Sequence, residues 1–439
     1  MAWAPSDAAV QDLLRFIHAA PTPWHAGRTI ATRLQAQGYH SVAESDATPG
    51  AMGVTLRDES TVAAWLPGRR PPEESGFRII VAHTDSPGFR VTPVGARGRP
   101  ETPSLAAEIY GSPIVASWAD RELTLAGRVC VATEEDPART VTRHVAFDRA
   151  LTRLPSAAIH LDRDVNRNGL RFPEHDALVF PFAAGADAGE PAAVALRQLL
   201  AEELGVAPDA LLSWELALVD TQAPSCWGSH GDLIAAPRLD NLASCHAGLS
   251  TLEALSEAAP DATVVLACFD HEEIGSQTFK GARSDFLPGL LGRLAGGDAF
   301  APAMRNSLLL SVDMAHGAHP AFPAFHDAEQ AIHLNGGPAI KVNAQQRYAT
   351  DAPAEAAVAA LARQADVPLQ RYVHRNDLPC GSTIGPILGA TLGVRTLDIG
   401  TPMWSMHSAR ESAGARDHPA LLRLLRAAAE APALPWSAP

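Results

Sequence analysis

Four short stretches that are rich in apolar residues occur along the chain, and each one leads into ionisable residues. The runs are Phe77–Ala82, Thr263–Phe269, Leu308–Val312 and Val394–Ile399. An apolar run of this length predicts a strand that is buried on both faces of a parallel sheet. The chain is therefore expected to have a largely parallel sheet at its centre.

Helical patterns lie between and around these runs. A helix is expected over Asp7–Ala19, with Ser6 as its N-cap. Further helices are expected over Trp24–Gln37, from just after Asn241 to about Glu257, and over Pro353–Gln364. Helices that alternate with buried strands predict the α/β class, with a mixed, mostly parallel sheet flanked by helices.

The pattern changes between residues 89 and 235, where apolar and polar residues alternate. Arg121–Val131 and Leu211–Asp220 show this alternation, which is typical of half-exposed antiparallel strands. We therefore predict that 89–235 form an inserted β-rich domain. Residues 1–88 and 236–439 would then form one discontinuous domain around it.

The composition excludes several classes of function. The 439 residues suit two domains, and Lys+Arg 35 against Asp+Glu 49 give a formal net charge of −14. This charge argues against nucleic acid as a partner. No apolar run reaches membrane-spanning length and the N-terminus lacks a signal-peptide pattern, so no membrane partner is expected. Five cysteines without a CxxC pair are expected to stay reduced, in the cytoplasm.

The candidate chemistry follows the ends of the apolar strands. His83, the pair Glu272-Glu273 and Asp313 come at or just after three strands, and the fourth strand leads to His407. Ligands of α/β sheets collect at the carboxyl edge of the strands. Two histidines and three carboxylates suit a pair of divalent cations, zinc first and then cobalt or manganese. The five predicted ligands are His83, Asp240, Glu273, Asp313 and His407.

Each position also has a simpler interpretation. Asp240 can be a helix N-cap, and Glu272-Glu273 can be a solvated charged loop. The repetition of the same chemistry at several strand ends favours a site instead. In it Asp240 would bridge two cations that polarise a carbonyl and activate water. Glu272 would be the general base, and Asp85, two residues after His83, would orient the imidazole.

Nine motifs lie in order along nearly the whole sequence. They are AAPTPWHA, VAHTDSPGFRV, AIHLDRDVN, APRLDN, FDHEEIGS, SVDMAHGAHP, IKVNAQQRYAT, DLPCGSTIGPILG and MHSARE. Together they resemble, in the same order, the motifs of the aspartyl aminopeptidase family of dinuclear zinc metallopeptidases.

The resemblance implies a zinc-peptidase-like core that releases N-terminal aspartate or glutamate from peptides. It implies that His83 and Asp313 hold one zinc ion and that Glu273 and His407 hold the other. Asp240 would bridge the two ions. Glu272 would be the catalytic base, Asp85 would orient His83, and the substrate contacts would be His316, Lys341 and Tyr348.

The resemblance also implies an assembly. The inserted domain would be the oligomerisation domain of a tetrahedral homo-dodecamer. His160 matches a histidine that reaches the active site of a neighbouring subunit, although the residues around it alone favour a structural histidine. In a chain this acidic, an acidic substrate needs a local cation, and Lys341 can supply it. The simpler interpretation of Lys341 is a solvated lysine at the edge of a strand.

Two other functions remain open from the sequence. One is a deacylase or other amidohydrolase that keeps the metals but cleaves N-acylated amino acids, whereas an aminopeptidase needs a free amine. The other is a catalytically silent assembly protein with the same fold. The complete ligand set and Glu272 argue against the silent protein.

Overall fold

The computed structural model describes residues 7–99, 101–133, 136, 138–173, 178–185 and 190–436, with only the backbone described for 93–98. The α-helices of these residues are α1 Ala8–Ala19, α2 Pro23–Ala36, α3 Pro72–Ser75, α4 Val165–Asn168, α5 Ala192–Leu204, α6 Leu239–Leu255, α7 Phe286–Ala295, α8 Phe300–Arg305, α9 Ala352–Gln364, α10 Ile384–Leu392 and α11 Asp417–Glu430.

The strands of the same residues are β1 His40–Ser41, β2 Gly53–Arg57, β3 Thr61–Leu66, β4 Phe77–His83, β5 Gly88–Arg99, β6 Thr102–Tyr110, β7 Leu123–Ala132, β8 Thr140–Ala146, β9 Val179–Pro181, β10 Leu211–Asp220, β11 Ser225–Trp227, β12 Leu233–Ala236, β13 Thr263–Phe269, β14 Leu308–Val312, β15 Ala315–His316, β16 Ala339–Val342, β17 Gln370–Val373, β18 Arg395–Gly400, β19 Pro402–Trp404 and β20 Glu411–Gly414.

The chain divides into two compact units. The first contains residues 1–85, 224–406 and 411–439, and the second contains 86–223 together with 407–410. The second unit thus includes a short segment from the far end of the sequence, which the predicted boundaries assign to the first domain.

The first unit is built on a nine-stranded sheet with the order β1-β2-β3-β13-β4-β14-β18-β16-β17. Its four central strands, β13, β4, β14 and β18, are parallel to one another. β3 and β16 run antiparallel on either side of them. The predicted mixed, mostly parallel sheet is confirmed at its centre, where all four apolar runs lie.

Both faces of this sheet are covered by helices. Along β13, Leu266 and Cys268 pack into a core with α1, α2, α6, α9 and α11. Val265 and Ala267 point the other way, into a core with α7, α8 and α10. Because successive side chains alternate between the faces, two apolar layers require the continuous run seen in the sequence. The predicted helix-flanked α/β fold is confirmed.

A second, five-stranded sheet of the first unit has the order β11-β12-β20-β19-β15. Its strand β15 ends at His316 and β20 begins at Glu411. The second unit has a six-stranded sheet, β8-β7-β10-β5-β6-β9, whose pairings are antiparallel. Its core includes the inner face of α5.

One local detail differs from the prediction, namely the N-cap of the first helix. Ser6 lies outside the described residues, and Asp7 caps α1 by accepting the N–H of Ala9 at 2.9 Å. His160 lies on a turn and is exposed, as are its neighbours Ile159 and Leu161, so the apolar residues around it do not form a buried strand. Within the described ranges, no helix is both long and apolar enough to cross a bilayer.

Candidate metal centre

Three neighbouring strands bring polar side chains to one edge of the large sheet. His83 is the last residue of β4, Asp313 directly follows β14, and Glu272–Ile274 form a single turn after β13. Because these strands are parallel neighbours, all of these side chains start from the same edge. It is the edge at which α/β sheets collect ligands.

Four of the predicted metal ligands converge there. Ligand atoms of His83, Asp240 and Glu273 all lie within 4.8 Å of one another. His83 Nε2 is 3.4 Å from Asp240 Oδ1 and 3.5 Å from Asp313 Oδ1. One imidazole nitrogen and several carboxylate oxygens form a donor set that suits zinc. The residues therefore fit a divalent cation.

Asp240 is held by its backbone rather than acting as a helix cap. It lies in the first turn of α6, where its own φ and ψ are not helical, and no side chain caps that helix. Its N–H donates to Glu411 Oε2 at 3.0 Å, and the next residue, Asn241, donates from Nδ2 to the carbonyl of Val312 at 2.8 Å. Both bonds fix the start of α6 against other strands. Neither Glu411 nor Asn241 was singled out from the sequence.

The tautomer of His83 follows from its contact with Asp85. His83 Nδ1 lies 3.0 Å from the backbone oxygen of Asp85 and 3.4 Å from its Oδ1. Since a carbonyl only accepts, Nδ1 carries a proton. In the neutral ring Nε2 then has the lone pair that a metal needs. Asp85 thus orients the imidazole mainly through its main chain.

The carboxylate of Asp85 has a second contact that the sequence did not reveal. It accepts the N–H of Glu272 on Oδ1 and the N–H of Glu273 on Oδ2, both at 3.1 Å. The two glutamates therefore take their backbone position from a fully buried side chain on the neighbouring strand end. No local sequence signal could have shown this, because 187 or more residues separate the partners.

The electrostatics of the cluster favour shared protons when no cation is bound. Burial lowers the pKa of His83, but the contacts with Asp240 and Asp313 outweigh it and raise that pKa well above its ordinary value. Burial raises the pKa of Glu272 well above its ordinary value; His83 opposes this rise, and Asp313 and Glu273 add to it. A positive charge within this cluster therefore stabilises the ionised form of several carboxylates at once.

Lys341 is not a solvated lysine at a strand edge. It is 2% exposed, and its Nζ lies 3.2 Å from Asp313 Oδ2 and 3.0 Å from the carbonyl of Met314. The same Nζ is 5.2 Å from the centre of the Tyr348 ring. An ammonium has three N–H donors, so two protein acceptors leave one donor for a ligand.

Tyr348 and His316 extend the site beyond Lys341. Burial raises the pKa of Tyr348 far above its ordinary value, with a further rise from Cys380, so its hydroxyl remains a neutral donor. Burial lowers the pKa of His316 to about 4, and the charges of Lys341 and His374 add to this effect. Both side chains are therefore uncharged near neutral pH.

Two of the predicted site residues belong to the second unit. His407 lies in the segment 407–410, and its Nδ1 is 3.0 Å from the carbonyl of Ser112. Nδ1 therefore donates, which leaves the lone pair on Nε2, as a metal ligand requires. His160 lies on the exposed turn described above. The roles predicted for both histidines stay predictions.

A buried ion pair supports the turn that carries the glutamates. Lys280 Nζ lies 2.9 Å from Asp270 Oδ2 and 3.0 Å from Asp58 Oδ2. Asp270 Oδ1 in turn accepts the N–H of His271 at 2.8 Å. Lys280 and Lys341 are the two lysines of the sequence, and both are buried and paired with aspartates. The sequence pattern gave Lys280 no role.

Comparison with known families and structures gives consistent matches over nearly the full length. A family model described as aminopeptidase I zinc metalloprotease (M18) matches residues 16–428. A Pseudomonas aeruginosa protein named "Probable M18 family aminopeptidase 2" is 44% identical over 424 residues, which are 95% of this chain and 97% of that protein.

Solved structures agree. A chain in the cryo-EM structure of the Ape4 and Nbr1 complex has a TM-score of 0.92 and 35% identity, covering 96% of this chain and 85% of that one. The structure of the S. cerevisiae mApe1 dodecamer has a TM-score of 0.83 and 23% identity, covering 96% of both chains. At that identity the second match shows a shared fold.

Proposed function

The chain belongs to the M18 family of zinc aminopeptidases, and from this premise we propose that it releases N-terminal aspartate and glutamate from peptides. The observation that carries the proposal is the convergence of His83, Asp240 and Glu273 within 4.8 Å. Beside these three residues, the Nζ of Lys341, a buried cation, donates a hydrogen bond to Asp313 Oδ2. Together these groups combine a donor set for metal with a cation for an acidic side chain.

Two divalent cations, zinc in preference to cobalt or manganese, would be held by the five predicted ligands. His83 and Asp313 would bind one ion, Glu273 and His407 the other, and Asp240 both. The short separations from His83 Nε2 to Asp240 and Asp313 support the first set. Bound cations of this kind polarise the scissile carbonyl and make water a better nucleophile at neutral pH.

Glu272 would move the proton in this reaction. Its carboxylate takes a proton from the attacking water as the new C–O bond forms. It then gives that proton to the peptide nitrogen as the C–N bond breaks, so that a free amino acid and a shortened peptide result. The position of Glu272 next to Glu273, with both N–H groups fixed by Asp85, supports this role.

Lys341 would select the acidic first residue. Its remaining N–H donor can pair with the carboxylate of the substrate side chain, and a charge-assisted bond of this kind is stronger than a neutral one. The neutral groups of Tyr348 and His316 would complete the contacts. The formal net charge of −14 makes such a local cation necessary, because the rest of the chain repels an acidic peptide.

The proposal also covers the number of subunits and the cellular compartment. We expect a homo-dodecamer formed through the second unit, with His160 acting at the site of a neighbouring subunit, in the cytoplasm. Mass measurement of the purified protein tests the number of subunits. Mixing a His160→Ala chain with a Glu272→Gln chain tests the shared site. Activity can return only if the intact His160 of the second chain completes the active site that holds the intact Glu272 of the first.

A panel of amino-acid p-nitroanilides, measured together with metal content, tests the activity. Asp and Glu anilides should be hydrolysed at least about tenfold faster than neutral ones, in line with one charged contact. Hydrolysis of N-acetyl-Asp without hydrolysis of Asp-anilide would identify a deacylase instead. If the protein binds metal but hydrolyses none of these substrates, it is a catalytically silent assembly protein.

A further inference from the structure

A cavity of about 400 Å³ in the first unit begins at His316. Its walls are the loop that follows β15, the end of β17 and the segment that leads from β19 to Met406. The volume is in the range of pockets that bind small ligands. None of the roles proposed above uses this space.

The cavity shares a wall with the proposed substrate contacts. The His316 ring is 5.9 Å from the ring of Tyr372 and 6.2 Å from the ring of His374, measured between centres. Tyr372 in turn lies 6.3 Å from Tyr348. The Nζ of Lys341 lies over the Tyr348 ring. The rings of Tyr348, Tyr372 and His316 therefore form a continuous row between Lys341 and the cavity.

The lining of the cavity suits an apolar ring. Among its described residues there is no lysine, arginine, aspartate or glutamate. Phe322 and Phe325 are stacked with their centres 5.6 Å apart, and both are more than half exposed. Met403 and Met406 add sulfur atoms, which pack well against aromatic rings. Exposed aromatic surface of this kind usually marks a binding site.

One polar atom of the lining lacks a partner. His374 Nδ1 is bonded to the Tyr372 hydroxyl at 2.7 Å, while His374 Nε2 is buried without a hydrogen-bond partner among the described residues. A buried polar atom left in this way costs free energy. A peptide N–H or C=O group that reached this atom would remove that cost, whichever nitrogen of the ring carries the proton.

We propose that this cavity binds the second residue of the peptide substrate and favours an aromatic side chain there. The inference rests on the proposed function, in which the first side chain meets Lys341. Consecutive Cα atoms are 3.80 Å apart, so the second residue must find its place directly beside the contacts of the first. The cavity that shares His316 with those contacts meets this requirement.

Matched dipeptides test the proposal. Asp-Phe and Asp-Trp should be cleaved with a kcat/KM at least about tenfold higher than that of Asp-Ala, since a buried ring gains that much over a methyl group. Equal values for Asp-Phe and Asp-Ala in the wild-type protein would overturn the proposal.

Two phenylalanines of equal exposure provide a matched pair of variants. Phe325 is 61% exposed and lines the cavity, whereas Phe279 is 62% exposed and does not. Phe325→Ala should lower the ratio of kcat/KM for Asp-Phe to that for Asp-Ala several-fold, and Phe279→Ala should leave the ratio unchanged. Leu378→Trp, which fills the cavity instead of opening it, should lower the same ratio.

Further measurements separate this proposal from the function on which it rests. If the protein releases an N-terminal residue other than Asp, the same comparison is made with two dipeptides that begin with that residue and end in Phe or Ala. If no peptide is cleaved, the proposed function fails, and calorimetric titration with Asp-Phe and Asp-Ala still decides the subsite through their relative affinity. A Phe325→Ala chain that changes its subunit number but not its substrate ratio would assign the ring to a subunit contact and overturn the proposal.

Discussion

Asp85 Oδ2 accepts the backbone N–H of Glu273 at 3.1 Å, so a side chain at the end of β4 fixes the backbone of a proposed metal ligand after β13. The other oxygen of the same carboxylate accepts the N–H of Glu272. The backbone oxygen of Asp85 also receives the Nδ1 proton of His83. One buried residue therefore sets the positions of three groups that the proposed chemistry requires.

Replacing Asp85 by asparagine should weaken both metal binding and catalysis. Asparagine offers one carbonyl oxygen and presents its NH₂ group to the second N–H donor, which is then buried without a partner. We expect metal affinity to fall about tenfold to a hundredfold, as for other groups that orient ligands. Metal titration followed by kcat measurement at saturating metal checks this. Asp298→Asn, on the surface, is the control, and equal metal affinity in both variants would contradict the expectation.

Glu272→Gln should abolish most of the turnover without removing metal. The amide has nearly the same shape but cannot take a proton from water, and loss of a general base lowers kcat by roughly a hundredfold to ten-thousandfold. Metal content and kcat are measured on the same preparation. Wild-type turnover would exclude Glu272 as the base, whereas loss of metal would show that it acts as a ligand.

The apolar runs were sufficient to predict the centre of the fold. Thr263–Phe269 and Leu308–Val312 are strands with the predicted bounds, because the strands of a sheet that is covered on both faces consist mainly of apolar residues. The convergence of His83 and Glu273 also followed from the sequence, since parallel strands end at one edge. Asp240 lies at the start of α6 instead, so this rule does not account for its position.

The long-range contacts that hold the site in place could not be predicted in this way. Asp85, Glu411 and Lys280 act on residues that are distant in the chain, and such contacts leave no periodic signal. Segment 407–410 could not be assigned either, since its neighbours in space belong to the second unit. The local pattern of apolar and polar residues determines where a helix or strand forms, whereas these contacts depend on how the helices and strands pack together.

The two lysines of the chain provide a test of acidic selectivity. Lys341→Met keeps the apolar stem but removes the charge, so kcat/KM for Asp-anilide should fall about tenfold to a hundredfold more than for Ala-anilide, as expected for a charged hydrogen bond. Lys280→Met is the matched control, because Lys280 is also buried and paired with aspartates but has no proposed substrate contact. Equal losses on the two substrates in Lys341→Met would contradict the ion-pair role.

Removal of metal should lower both activity and stability. Without a cation the carboxylates of Asp240, Glu273 and Asp313 repel one another around His83, and a cation that binds only the folded state adds about 2.7 kcal/mol of stability at a hundred times its Kd. Treatment with a chelator should therefore abolish turnover and lower the melting temperature, and zinc, cobalt or manganese should restore both. Magnesium is the control, because histidine nitrogen is a poor ligand for it; equal recovery with magnesium would argue against the proposed ligand set.

A separate buried carboxyl group makes stability depend on pH. Asp417 begins α11, where its two oxygens accept the N–H groups of Asn335 and Gly337 at 2.7 Å. Burial raises the pKa of Asp417 to about 7, against the opposing effect of these two bonds. The folded chain therefore keeps the proton of Asp417 in a pH range where the unfolded chain, near its ordinary value of 3.8, has lost it.

This difference fixes the sign of the pH effect. Since the unfolded state binds fewer protons between about pH 4 and pH 7, the contribution of Asp417 to the free energy of unfolding is largest below pH 4. It falls by up to about 1.4 kcal/mol per pH unit as the pH rises to 7. Asp417→Asn cannot titrate, so the decline seen in wild-type urea unfolding should be shallower in this variant. Asp209→Asn, on the exposed surface, should keep the wild-type slope. The same slope in Asp417→Asn and wild type would mean that the carboxyl group titrates normally in the folded chain.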